Sequence, residues 1–484
     1  MRHWIMSLAV VLFTVVCSES QETKKKDTDP GKESKAEPTE PTEYLGKSFD
    51  AWRKDITSDD PSKREMAMKA MLMFGLPKAT EAMPDIIADL ARHKNTPLDL
   101  SVRVNGVMAL NTYFLHASKG KGPDPGVVKA ALPVYKMFLK DSQVIMKERA
   151  VQGLQYMGTP ARELLNDVIP LVRDGSTWEL RKEAIPVMVS LASNEKGPGD
   201  AKAIAALRKS IDRDIEKSYV VRALAVQGLG VLGKDTVLVD LKKAMNDPAK
   251  EVRLAAVQAM AVGPKEKALL PLKDALADKA KEVRVAAVQC YGFAGQASAM
   301  PELRNLLDHT EKEMRLQTLN TIVNLKQHVY PKLQPKDLTL KKLEQRAMEE
   351  TDPIVYIWVH ATIMTVTDNI DKKHISPVLQ KLKHKDAQVR VEALKVIAMC
   401  QDKARPFAYQ AVLDAIDDKE LNVAGPAIET LVHMRAYDAI PRLKLLMEDK
   451  KAPEALKEVA ENAVDNLELL KGREKKDKSD KKTP

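Results

Sequence analysis

The chain writes one line twice: residues 251–263 read EVRLAAVQAMAVG and residues 282–295 read EVRVAAVQCYGFAG, which sets Arg253 and Arg284 thirty-one residues apart. Self-similarity at a fixed period of roughly 20–50 residues constrains a fold more tightly than composition does. Each unit must be one supersecondary piece that buries its apolar face only against the next. Alignment of further copies on Arg253 places anchors at Arg64, Arg103, Lys147, Arg181, Arg222, Arg253, Arg284, Arg315, Trp358, Arg390, Ala424 and Lys457. That makes twelve copies; the four from Arg222 to Arg315 are evenly spaced at 31 residues, and the other steps run from 32 to 44. Ala-Val-Gln recurs at 150–152, 225–227, 256–258 and 287–289, each time beginning three residues after an anchor.

A period of this length holds two helices and their turns. In LLPLKDALADKAKEVRVAAVQCYGFAG at 269–295, Leu269, Leu272 and Leu276 fall at spacings of three and four on a first helix. Asp278 suits a turn or cap, and Val283, Ala286, Ala287 and Cys290 share one face of a second helix. Gly295 suits a left-handed end to that helix. In the preceding copy Asp247 suits a cap and Pro248 a first helical turn. The apolar content is 44% with only 4% aromatics, carried by Ala, Leu, Val and Met, a palette for closely packed helices. The expected fold is all-α: an α-solenoid, or superhelix, of about twelve helix pairs, which suits 484 residues because a stack grows in one dimension.

NDPAKEVRLAAVQAMAVG at 246–263, ADKAKEVRVAAVQCYGFAG at 277–295 and KDAQVRVEALKVIAMC at 385–400 resemble the HEAT repeat: a turn acid, Val-Arg, small residues, and in the first two copies a closing glycine. The opening GKSFDAWRKDITSDDPSKREMAMKAM at 46–71 is similar to the start of exported bacterial HEAT-like proteins. The resemblance spans roughly residues 47–470. It implies a ladder of turn acids and helix arginines between repeats, with Asp247, Asp278, Asp308 and Asp386 pairing with Arg253, Arg284, Arg315 and Arg390. The ladder should weaken at Trp358, Ala424 and Lys457, where the pattern lacks its arginine. HEAT-like arrays serve as scaffolds, transport receptors and phycobilin lyases, so the resemblance leaves activity open.

The ends differ in kind. Residues 1–20, with basic MRHW and apolar IMSLAVVLFTVV before CSES, read as a signal peptide, so the expected location is outside the cytoplasm, periplasmic or extracellular. The apolar run is short for a membrane span, which needs roughly 20 residues. Cys17 supplies a lipidation alternative that would anchor the chain to the envelope, against Val16 where the lipobox pattern wants a small residue. Residues 21–46 read as a disordered tether and residues 471–484 as a basic disordered tail.

Chemistry is sparse between these ends. Beyond the signal only Cys290 and Cys400 remain, more than three repeats apart, hence some 30 Å if each repeat advances roughly 10 Å. Both read as core cysteines. His374 and His384 flank one helix and share no metal spacing, and Asp59-Asp60 and Asp417-Asp418 read as turn acids. Trp52, Trp178 and Trp358 read as packing residues. The insertions at 118–126, 194–200 and 328–340 are better binding candidates than any single residue. No catalytic set, cofactor or metal site is expected. The net charge of +9 is spread over 77 basic and 68 acidic residues, a solvated helical surface more than a nucleic-acid footprint. The expected function is an exported, non-catalytic scaffold for protein or envelope partners; the alternatives are a HEAT-like lyase-type enzyme or accessory subunit, and a basic-surface binder of nucleic acid or acidic polymer.

Overall fold

A computed structural model describes residues 41–92, 100–174, 177–194, 197–329 and 337–480. The signal segment with Cys17, most of the tether and part of the insertion at 328–340 lie outside these residues. A two-residue hairpin, Glu43–Tyr44 with Lys47–Ser48, leads into helices that pair off twelve times among the described residues. The first helix of each pair is termed A and the second B.

The anchors share one structural position. Their backbone amides close the first turn of each B helix: Arg253 on the Ala249 carbonyl at 3.3 Å, Arg284 on Ala280 at 3.1 Å and Arg390 on Asp386 at 3.3 Å. In the ninth pair that amide belongs to Tyr356, bonded to Asp352 at 2.9 Å, so the anchor is Tyr356 and not Trp358. The long insertion before this helix shifted the alignment by two residues. Asp352 caps the helix Pro353–Thr367 through its side chain and Pro353 occupies the first turn, which fixes the true start.

Each B helix packs on its own A helix and on the B helices before and after it, as Lys250–Val262 packs against Tyr219–Gly233 and Lys281–Gly295. The core therefore runs the length of the stack. It divides into two apolar clusters, Phe49 to Val366 and Ile357 to Leu467, which interleave along the helix Pro353–Thr367.

Glycines set the spacing by their lack of a Cβ. A Cβ on Gly230 would lie 2.6 Å from the Ala259 Cβ and 2.8 Å from its Cα, so helices Tyr219–Gly233 and Lys250–Val262 come closer than any larger residue permits. Gly295 is not the left-handed residue expected of it: its φ is −93°, and the neighbouring Gln296 takes φ +46°. A Cβ on Gly295 would meet Leu269 Cδ2 at 2.7 Å, so it is the approach of its own A helix, Leu269–Ala275, that excludes a side chain there.

The carboxyl-terminal end also departs from the sequence reading. The last B helix runs Glu454–Asp480, carrying helix into the segment read as a tail as far as residue 480. Glu474 accepts from Arg435 Nη1 and from the Tyr437 hydroxyl, both at 2.6 Å, which docks that segment on the preceding repeat.

Candidate functional surface

Ladder residues came first as site candidates, and their partners are offset by one repeat from the pairing expected. Arg222 holds Asp247 through Nε at 2.8 Å and Nη2 at 3.0 Å, and both side chains are buried. Arg253 holds Asp278 in the same two-pronged way at 2.8 and 2.9 Å. The bond to Arg253 holds the Asp278 carboxyl below its usual range, and raises the guanidinium in turn. Arg253 still touches Asp247, but through Nη1 on its backbone carbonyl at 2.9 Å. Each arginine thus ties its own turn by carbonyl bonds and the next turn by charge.

Arg284 pairs with Glu311 at 2.7 Å, Arg315 with Glu350 at 3.0 Å and Arg390 with Asp418 at 2.7 Å. Asp308 instead meets Lys342 at 2.5 Å, and Asp386 caps its own helix by accepting from the Gln388 amide at 2.9 Å. The signal for the true partners lay in the period: Glu216, Asp247, Asp278, Glu350 and Asp418 each stand six residues before an anchor. Where histidine takes that place, at His309 and His384, its Nδ1 accepts the amide two residues on at 3.1 Å, filling the acid's capping role.

The ladder breaks at Tyr356, which has no guanidinium, and a buried polar group sits beside the gap. His360 Nδ1 faces His374 Nδ1 at 3.1 Å, and His374 Nε2 lies 3.2 Å from Glu344 Oε1. Tyr356 packs edge-on against His360, with Lys373 and Asp371 as the other nearby charges. His360 Nε2 is buried without a hydrogen-bond partner among the described residues. Burial first, then the neighbouring His374, pulls the His360 pKa down to about 4. The folded chain therefore resists protonating His360, while the unfolded chain takes the proton near an ordinary histidine value of about 6.5. Stability should be intact above pH ~6.5 and fall by about 2–3 kcal/mol as pH drops towards ~4.5. Urea melts across that range should show the slope in the wild type and a flatter one in His360→Leu.

Cys290 is buried and its thiol is pushed up to about 12; Cys400 is half-buried, its thiol at about 11, and both are free. Trp52 is buried and donates to the Tyr44 carbonyl at 2.8 Å, Trp358 donates to Glu392 at 3.0 Å, and Trp178 is exposed. No group of three metal-donor side chains occurs among the described residues, and none of the described helices is long and apolar enough to cross a membrane. An open groove lined by Thr159, Arg162, Ser190 and Asn194 borders the insertion at 194–200.

In three of the four evenly spaced repeats the B helices Lys250–Val262, Lys281–Gly295 and Lys312–Val329 keep one side partly exposed, written along steps of four residues, whereas the matching Ala223 and Gln227 on Tyr219–Gly233 are buried. On Lys250–Val262 this side carries Lys250, Leu254, Gln258 and Val262, none of them fully buried. Across the stack the rows align. A charged row is neutralised between neighbours by Lys250–Glu282 at 2.6 Å, Lys281–Glu313 at 2.9 Å and Lys312–Asp352 at 3.2 Å. Beside it lies an apolar row of Leu254, Val285 and Leu316, then an amide row of Gln227, Gln258, Gln289 and Asn320. Val262 and Phe293 continue a second apolar row. The recurring Ala-Val-Gln is thus two core residues followed by one amide, half-buried at Gln152, Gln258 and Gln289 and buried at Gln227. In the copy at 150–152 Gln152 is already engaged, with Glu183 at 3.1 Å and Arg149 at 2.7 Å.

No protein-family model matches the chain, and no curated protein matches it. Solved structures do. Yeast importin-β (Kap95p) superposes at a TM-score of 0.54 with 11% identity, over 87% of this chain and 60% of that one. The structure of Kap95p with RanGDP gives 0.54 at 12% identity, over 87% of this chain and 61% of that one. The Kap95:Nup1 complex gives 0.50 at 12% identity, over the same shares. The chain thus spans about three fifths of the length of these neighbours, and at such identity the likeness is one of fold. The repeated sequence, the twelve stacked helix pairs and this likeness agree that the chain is an α-solenoid of HEAT repeats.

Proposed function

We propose that the chain is an exported, non-catalytic scaffold that binds a protein partner along the uncovered side of its B helices. The observation that supports this most is the uncharged amide surface written at one position over three consecutive repeats, Gln258, Gln289 and Asn320, in a chain of which 30% is charged. Core packing does not require amides at Gln258, Gln289 and Asn320, which keep access to solvent. The importin-β neighbours include Kap95p bound to RanGDP and to Nup1, which lends the stack a precedent for protein binding. Pairing of the lysine row with acids of the next repeat weighs against nucleic acid, whose binding needs uncompensated cations.

Affinity purification of the tagged full-length chain from its native host tests the reading. The expected result is one protein recovered in stoichiometric amount, retained in about 0.5 M salt, where surface charge alone is screened. Recovery of nucleic acid that washes off in salt would favour the basic-surface alternative. Intact mass of the same preparation tests export: a start at Gln21 fits a free protein, and a lipidated Cys17 fits one held at a membrane.

A further inference from the structure

The joint between the ninth and tenth helix pairs is built differently from those beside it. A ladder rung there would run from the anchor of Pro353–Thr367 to the acid six residues before Arg390, but those two places hold Tyr356 and His384. The joints on either side keep their rungs, Arg315 with Glu350 and Arg390 with Asp418. The apolar core divides at the same helix. Val355, Val359 and Ile363 belong to its first cluster and Ile357, Ala361 and Met364 to its second, and among the described residues no other helix gives buried residues to both. A chain of polar contacts crosses the joint instead. His374 Nε2 faces the Glu344 carboxylate at 3.2 Å, so that nitrogen carries the proton and His374 Nδ1 accepts from His360 Nδ1 at 3.1 Å. The chain holds only while both rings are neutral. A proton added to His374 Nδ1 sets two N–H groups face to face, and one added to His360 Nε2 makes a buried N–H that has no acceptor among the described residues.

We propose that this joint is an acid-opened hinge: protonation of the His360–His374 pair parts the last three helix pairs from the first nine, while each block stays folded. Repeats on either side of such a break keep their own nearest-neighbour interfaces, so opening is local. The charges around His360 do not hold it shut against acid. Glu344 and Asp371 favour a charged ring, Lys373 and His374 oppose one, and burial outweighs them all. On the other two helices packed here, Lys312–Val329 and Ala387–Met399, the acids are engaged elsewhere: Glu313 by Lys281, and Glu392 by Trp358 and Lys395. The cations Lys312, Arg315 and Arg390 are paired with acids, and Lys381 lies over the Tyr356 ring.

Single-molecule energy transfer on the full chain tests the hinge, with Cys17→Ala, Cys290→Ala and Cys400→Ala clearing the native thiols. Dyes at Lys273→Cys and Gln410→Cys, both exposed on A helices, span the joint, and dyes at Lys129→Cys and Lys273→Cys span the same number of repeats within the first block. Between pH ~7.5 and pH ~5 the ratio of open to closed molecules should rise about thirtyfold for the first pair, because an exposed His360 titrates near 6.5 and the buried one near 4. The second pair should not change, and circular dichroism should stay helical at both pH values. His360→Leu should abolish the rise. Tyr356→Arg with His384→Asp writes the missing rung and should hold the joint shut at both pH values. No rise, an equal change in the second pair, or a rise that persists in His360→Leu overturns the hinge. If His360→Leu does not fold, the rung variant decides, and a rise it leaves unaltered overturns the hinge equally.

Discussion

Replacing Arg222 with alanine should cost about 3–5 kcal/mol of stability, because it leaves the Asp247 carboxylate buried without its guanidinium. Both side chains are about 6% exposed, so water cannot take the missing partner's place. The loss also frees the turn carbonyls of Glu216 and Lys217, each bonded to Arg222 Nη1 at 3.0 Å. Arg208→Ala is the control: Arg208 pairs with Asp240 at 2.9 Å, but with its side chain 44% exposed, and should cost less than about 1 kcal/mol. The double change Arg222→Met with Asp247→Leu should recover most of the stability, since it removes both charges. Urea unfolding of the four proteins settles this; similar midpoints for Arg222→Ala and Arg208→Ala would reduce the ladder to decoration.

Deleting residues 253–283 should leave a folded, shorter stack, whereas deleting 253–268 alone should unfold or aggregate the chain. The whole-unit deletion joins Val252 to Arg284, so Arg284 falls where Arg253 stood, over the Asp247 turn, and keeps its own bond to Glu311. Arg222 keeps Asp247. Every interface that remains is one between neighbouring repeats of the same kind. The half-unit deletion removes a B helix and presents the A helix Leu269–Ala275 with a neighbour of the wrong sort, exposing apolar surface on both sides of the cut. Helical circular dichroism with a cooperative melt is expected for the first protein only, and its presence or absence in both would contradict a stack built from interchangeable units.

The period made the twelve B helices legible from residues alone, and eleven of the twelve anchors sit where the alignment put them. The exception, Tyr356, follows an insertion, and an aromatic at each of 356 and 358 offered no arginine to choose between them. Ladder partners were misread because the acid at six before an anchor serves the arginine of the previous repeat, a relation between neighbours that one repeat does not contain. Two substitutions hid it further: histidine holds that place at 309 and 384. His360 and His374 meet from different helices, so their contact depends on how the ninth and tenth pairs stack and leaves no spacing to read. The closing helix was misread on composition, since a lysine-rich segment looks like a tail until Arg435 and Tyr437 provide a seat for Glu474.

Amine-reactive cross-linking of the complex purified from the native host, with the linked lysines identified by mass spectrometry, tests partner binding on the uncovered side most directly. Lys250, Lys281 and Lys312 edge that side, while Lys243 and Lys273 lie on A helices, and all five are at least partly exposed. The account predicts partner cross-links to Lys250, Lys281 and Lys312 that disappear with Gln258→Glu and Gln289→Glu. Cross-links confined to Lys243 and Lys273, unaffected by those changes, would contradict it.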